Sequence, residues 1–414
     1  MALGKRKDGL QRNLFVYVGE LRSSSNAFYQ ALDRLLCDHG FDAFVEGVCR
    51  EFYADRRGRP GVPPGVYFRM LLVGYLEGLG SERGIAWRCN DSLALRTFLG
   101  YDLTENPPEH STLSKTRKRL SLDAHMEVFG WVLALLKESG LLRGKTLGID
   151  STTLEANAAM RSIVLRDNGM SYDAFLESLA KASGIETPTR EDLAKVDRKR
   201  KNKGSNKDWV HPEAPDARIT KMKDGRTHLA HKYEHAVDLE TGALVAVTVQ
   251  TMDGGDTASL PVTLDAATEQ LDGMDLTAEE VVADKGYHSN AVMVSLKARG
   301  VRSYISEPKR GRRNWKKNKE AQKPTYANRR RIRGNRGKFL LRQRGEKVER
   351  AFAHLLETGG LRRVYVRDNL EILKRMVLQG AAFNLSLLMR THGGVGKPRV
   401  LQGNRSVQLE LARA

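Results

Sequence analysis

The hydrophobic period of this chain changes near Lys145, and that change restricts the folds open to it. Ahead of it, Phe28, Leu32, Leu35 and Leu36 recur at helical spacing, as do Phe68, Leu71, Leu72, Tyr75 and Leu79. Pro60-Gly61-Val62-Pro63-Pro64 breaks the chain between these two helices. Two more helices are expected over residues 82–89 and 92–99, with Asn90-Asp91 as turn and cap, and Ser111 is placed to cap another over 112–120. Beyond Lys145, short apolar runs at 146–150, 281–284 and 301–305 read as strands. Residues 229–239 and 242–250 alternate apolar and polar side chains around Glu240-Thr241-Gly242, the pattern of a β-hairpin. Helices are expected over 289–299, 346–356 and 373–389. An all-α region at 1–140 therefore precedes an α/β region at 141–390, with insertions at about 155–250 and 307–345, and a basic polar tail covers 391–414.

Charge narrows the partner. A formal net charge of +19 and a pI near 9.8 point to a polyanion, and nucleic acid is the natural one. Residues 309–347 hold seventeen Lys or Arg against only Glu320 and Glu346, with Trp315, Tyr326 and Phe339 among them for stacking on bases or guanidinium groups. Read alone, the run is a solvated loop that orders on DNA. A second basic stretch, 193–208, reads as a flexible insertion. Lys115, Arg117, Lys118 and Arg119 crowd the helix at 112–120, which suits either a helix-turn-helix reader or the solvated face of a dimerisation bundle. Cys37, Cys49 and Cys89 form no CxxC pair and fit free thiols in a reducing compartment. The N-terminus lacks a signal-peptide core, and the apolar stretch 376–389 is too short to span a membrane and includes Gln379, Asn384 and Ser386. A soluble intracellular protein is expected. No GxxxxGK[ST] loop is present, so no ATP requirement is expected.

Three acids are placed to do chemistry. Asp150 closes the run from Thr146, Asp284 closes Val281-Val282-Ala283, and Glu349 lies on the helix at 346–356. Carboxylates converging from separate elements suit hard divalent cations. Each has a plainer reading: an Asp at a strand end caps a turn, Glu349 pairs with a nearby Arg, and Glu346 one turn earlier rivals it. Asp253 and Asp256 read as turn residues. His228, His231 and His235 do not make a zinc site, because zinc takes about four ligands and His228 faces away from the other two on a strand. Their expected role is structural or phosphate-contacting.

The order and spacing of several short strings resemble the insertion-sequence transposases of the DDE type, in the large bacterial group with a β-strand insertion after the first Asp. Arg96-Thr97-Phe98-Leu99-Gly100 and Glu109-His110-Ser111-Thr112-Leu113-Ser114 match its helical region, with Glu109 where Asp is usual. Gly148-Ile149-Asp150-Ser151-Thr152, Val237-Asp238-Leu239-Glu240-Thr241-Gly242, Gly255-Asp256-Thr257 and Ala283-Asp284-Lys285-Gly286-Tyr287 follow. Val348-Glu349-Arg350-Ala351-Phe352-Ala353-His354 and Thr358-Gly359-Gly360-Leu361-Arg362-Arg363 end the series, and the likeness covers roughly residues 30–390.

The resemblance implies a ribonuclease H-like catalytic domain with an inserted β-hairpin, preceded by an all-α domain for DNA binding or dimerisation. It assigns Asp150, Asp284 and Glu349 as catalytic ligands of Mg²⁺ or Mn²⁺, two ions in number. Lys115, Arg117, Lys118, Arg119, Lys285, Tyr287, Arg329, Arg330, Arg331, Arg333, Arg350, Arg362 and Arg363 become the expected DNA contacts. Many relatives carry an Arg before the Glu and a Lys after it. Gly345 and Leu356 stand there here, which moves the basic role to Arg350, Arg362 or Arg363. The implied activity is cleavage of transposon ends and joining of the 3′-OH to target DNA by a homodimer, in bacterial nucleoid-associated cytoplasm. A catalytically inactive repressor and a nuclease without strand transfer remain the alternatives.

Overall fold

In the computed structural model, residues 26–54, 61–102, 104–200, 204–222, 225–309, 311 and 313–401 are described. Pro60, Lys201, Lys203, the N-terminal segment and most of the tail lie outside them. Among the described residues seven α-helices come first: α1 (Ala27–Asp38), α2 (Phe41–Cys49), α3 (Pro64–Glu77), α4 (Glu82–Asp91), α5 (Leu93–Phe98), α6 (His110–Arg119) and α7 (Leu122–Glu138). Two boundaries differ from expectation. Asn90 and Asp91 belong to α4, and Ser92 caps α5 by accepting from the Leu95 N–H. Helix α6 starts one residue before Ser111, with Glu109 at the cap position.

The α/β region follows in the order β1 (Thr146–Glu155), β2 (Val164–Leu165), α8 (Tyr172–Ala182), α9 (Arg190–Lys199), β3 (Trp209–Val210), β4 (Arg218–Lys221), β5 (Thr227–Asp238) and β6 (Leu244–Gln250). It continues through α10 (Asp256–Asp272), β7 (Glu280–Ala283), α11 (Asn290–Ala298), β8 (Arg302–Ile305), α12 (Lys319–Arg333), α13 (Asn335–Phe352) and α14 (Asn369–Gly393). The main sheet is mixed. Its order runs β6, β5, β1, β7, β8, and β4 pairs with the first residues of β5. Strands β7 and β8 lie parallel to β1, whereas β5 is antiparallel to it.

The hairpin β5–β6 is part of this sheet rather than an insertion. What separates β1 from β5 is the stretch 156–226, whose Ile163, Trp209 and Ala217 pack with Leu229 of β5 in a small core of their own. The first seven residues of the stretch expected to be flexible, 193–208, are helical: α9 runs to Lys199 behind a Thr189–Asp192 capping box. The basic run 309–347 also departs from expectation. It forms α12 and the greater part of α13. Buried Asn328 fastens α12 to the edge strand β8: its side chain accepts from the Ile305 N–H at 3.0 Å and donates to the Ile305 carbonyl at 2.8 Å. Both backbone groups of an edge residue are thereby satisfied. Asn384 on α14 does the same for Leu244 of β6, at 2.9 and 2.8 Å.

The helices before residue 140 share one apolar core with the sheet and α14. Arg117, read as a surface cation, is buried there, because Glu82 accepts from it at 2.7 Å and Glu371 of α14 closes on its other nitrogen. Among the described residues no helix is long and apolar enough to cross a membrane.

Candidate active site

Asp150 does not end its strand. β1 continues to Glu155 because β5 pairs with it all the way, Asp150 opposite His235 and Glu155 opposite Ala230. The parallel partner β7 stops at Gly148 opposite Val282, so Asp150 lies just past the point where the sheet loses a neighbour. Asp284 follows β7 directly and caps a short turn, accepting from the Gly286 N–H at 2.7 Å. Helix α13 lies on the same face of β1 as Gly148 and Asp150, since alternate residues share a face. Gly148 permits this: a Cβ there would sit 2.9 Å from Val348 and 2.6 Å from Leu239. The next residue after Val348 is Glu349, which is thereby carried beside Asp150.

The electrostatics report that proximity. Burial raises the Asp150 carboxyl first; Arg344 and the Ser151 N–H pull it back, and the charges of Asp284 and Glu349 push it up again, to about 6. Asp150 is paired with Arg344 of α13, through Nη2 to Oδ2. Glu349 is exposed, and its rival Glu346 is tied to Arg350 at 2.7 Å. The donor set is all oxygen, which fits a hard divalent cation. As the side chains stand, with Arg344 on Asp150, no three His, Cys, Asp or Glu side chains among the described residues are grouped to hold a metal.

A fourth carboxylate enters from the other face. Asp256, read as a turn residue, starts α10 and accepts from Ser151 Oγ at 3.2 Å and from Lys232 Nζ at 2.7 Å. A Cβ on Gly286 would lie 2.5 Å from an Asp256 oxygen and 3.0 Å from an Asp284 oxygen, so the two acids flank that glycine. Behind them sits buried Glu234, which accepts from Ser259 and from the Tyr287 hydroxyl, both at 2.7 Å, and from Thr263. Tyr287 is fully buried in this bond, so its ring offers no surface to DNA.

The other expected contacts separate by environment. Lys115, Lys118, Arg119, Lys285, Arg330 and Arg333 are exposed. Arg329 is held by Glu307 at 2.6 and 2.9 Å, and Arg331 donates to the Ser303 carbonyl and hydroxyl at 2.9 and 3.0 Å. The aromatic residues of this region stack on its own cations: Arg313 lies over Trp315, Arg329 over Tyr326 and Arg342 over Phe339. Arg362 is paired with Glu357 and Arg363 with Glu155. Glu155 is five residues along β1 from Asp150, roughly 16 Å at strand rise, which leaves Arg344 as the arginine beside Asp150. In sequence Arg344 is only a neighbour of Gly345, at the usual Arg position, but it precedes Val348 by one helical turn and so shares its face. His231 and His235 are structural: both are buried, His235 stacks on Phe352 at 3.9 Å, and burial holds it down to about 3.

Comparison with protein-family models gives two matches, a transposase domain (DUF772) over residues 17–119 and a transposase DDE domain over residues 206–385. The chain belongs to the insertion-sequence transposases of the DDE type. Its second match includes Asp284 and Glu349 and begins after Asp150. No curated protein and no solved structure matches the transposase.

Proposed function

We propose that this transposase cleaves the ends of its element and joins the freed 3′-OH to target DNA on a ribonuclease H-like domain, using Asp150, Asp284 and Glu349. The observation that carries the reading is geometric: β1 and β7 run parallel with Asp150 and Asp284 just past their paired ends, and Gly148 lets Val348, the neighbour of Glu349, pack onto β1. The sheet order β6, β5, β1, β7, β8, three antiparallel strands followed by two parallel ones, supports the fold.

The three carboxylates would hold Mg²⁺ or Mn²⁺, which when bound lowers the pKa of water and stabilises the leaving oxygen. The chain's own contribution is placement. β1 fixes Asp150 through continuous pairing with β5, and Asp284 is fixed by its bond to the Gly286 N–H. Glu349 rides on a helix that Gly148 lets approach the sheet. Lys285, Arg330 and Arg333 are exposed cations for the phosphate backbone, and Lys115 and Lys118 offer a second basic surface on α6. Two chains on two element ends are the expected assembly.

The test is incubation of the protein with element-end DNA and Mg²⁺ or Mn²⁺, comparing wild type with Asp150→Ala, Asp284→Ala and Glu349→Ala. Each variant is expected to lose both cutting and joining. Variants that cut and join as wild type does would overturn the assignment, and a wild type that nicks without joining would favour a nuclease.

A further inference from the structure

Four cations of α13 lie near Glu349 in sequence, and they are spent differently. Arg342 stacks on exposed Phe339, Lys347 Nζ donates to the Glu240 carbonyl at 2.7 Å, and Arg350 pairs with Glu346. Arg344 alone of these turns onto the sheet and pairs with Asp150, each side chain about 15 % exposed. The pair is only partly built in. Arg344 Nε is buried without a hydrogen-bond partner, and Asp150 has, besides Arg344, only the N–H of its neighbour Ser151 at 2.9 Å. A structural pair in the same sheet looks different: Glu280 receives Arg336 and also the hydroxyls of Thr146 at 2.8 Å and Tyr304 at 3.1 Å.

We infer that Arg344 is a stand-in cation, holding the Asp150 carboxylate until a divalent ion displaces it and frees its guanidinium for a DNA phosphate. The inference rests on the reading of Asp150 as a metal-binding carboxylate. The physical case is competition for one oxygen. Arg344 Nη2 sits on Oδ2, so a divalent ion held by Asp150 would compete with the arginine for that carboxylate. The displaced guanidinium would be a buried charge without a counter-ion, which is costly. A phosphate relieves that cost and matches the guanidinium fork. Metal and DNA therefore each favour the other's binding, and the coupling is reciprocal. Glu349 lies five residues further along the same helix, so the released arginine stays beside the reacting carboxylates.

The experiment is Mn²⁺ binding to the full chain, followed by electron paramagnetic resonance, with and without a short DNA duplex. Without DNA, Arg344→Gln is expected to bind Mn²⁺ about tenfold more tightly than wild type, within the usual range of such couplings. Arg344→Lys keeps the charge and should stay within about threefold of wild type. Adding duplex should tighten Mn²⁺ binding about tenfold in wild type and little in Arg344→Gln. Equal Mn²⁺ affinity in wild type and a folded Arg344→Gln, with binding still abolished by Asp150→Asn, would overturn the role of Arg344 and leave the site standing. Mn²⁺ binding that survives Asp150→Asn would overturn both.

Discussion

Glu280 on β7 and Asp150 on β1 belong to one sheet and both receive an arginine from α13, yet the fold treats them in opposite ways. Glu280 is almost fully buried. Burial alone would raise its carboxyl, but Arg336, Thr146 and Tyr304 together outweigh that and hold it below the ordinary range. Asp150 is raised to about 6, first by burial and then by two further acids that one arginine does not offset. The lesson is that ion pairing does not by itself distinguish a structural carboxylate from a reactive one. The hydroxyls that finish Glu280 are what Asp150 lacks, and in their place it has other negative charges.

The comparison breaks first at Glu280. Glu280→Ala strands two buried hydroxyl donors and an arginine, and should cost about 3 kcal/mol in denaturant unfolding; a loss below about 1 kcal/mol would show that Glu280 is not the anchor described. Asp150→Asn should act in the opposite direction. Burial first, and then the neighbouring acids, raise the folded carboxyl to about 6, above an unfolded aspartate, so folding disfavours its ionised form. The penalty is absent below about pH 4, grows as pH rises through 6 and is complete above it. In metal-free buffer the Asn variant should therefore be more stable by roughly 3 kcal/mol at pH 8 and gain nothing near pH 4. Glu280 has the reverse sign: its contribution is present above the ordinary glutamate range and is lost as pH falls through its depressed folded value. Melting temperatures should show Asp150→Asn gaining on wild type between pH 4 and 6, and Glu280→Ala closing on wild type only as pH falls below the ordinary glutamate range; a shared window for the two variants would remove the distinction.

Smaller effects sharpen the boundary of the site. Tyr287→Phe takes a donor from buried Glu234 and should cost about 1 kcal/mol, while DNA affinity stays unchanged in a filter-binding assay. A marked loss of affinity would return the ring to the DNA surface. Glu346→Ala removes only an exposed pair with Arg350, worth at most about 0.5 kcal/mol, and should leave cleavage intact. Loss of cleavage there would make Glu346 the acid of α13 in place of Glu349.

Much of this site was readable in the sequence, because the signals are local. The period change at Lys145, the hairpin around Gly242, the turn after Asp284 and the helix bearing Glu349 each depend on neighbours a few residues away. The extent of β1 was not readable. Ser151, Thr152 and Thr153 stop the apolar run, and only pairing with Glu234, Tyr233 and Lys232 extends the strand. Helix α12 hid for a different reason: its buried face is Ala321, Pro324, Thr325 and Asn328, which carries no strong apolar period beneath the charge. Arg117 and Asp256 were misread because the partners that define them, Glu371 and Ser151, are 254 and 105 residues distant.

The most direct measurement sets the two carboxylates against each other in one reaction. At a temperature where both variants are folded, Asp150→Asn and Glu280→Gln are compared with wild type for cutting and joining of element-end DNA in Mn²⁺. Asp150→Asn is expected to lose the reaction by a factor on the order of a thousand, the scale of removing a reactive group, while Glu280→Gln stays within about tenfold of wild type. Cutting by Asp150→Asn at the wild-type rate, or equal losses in both variants, would contradict the account.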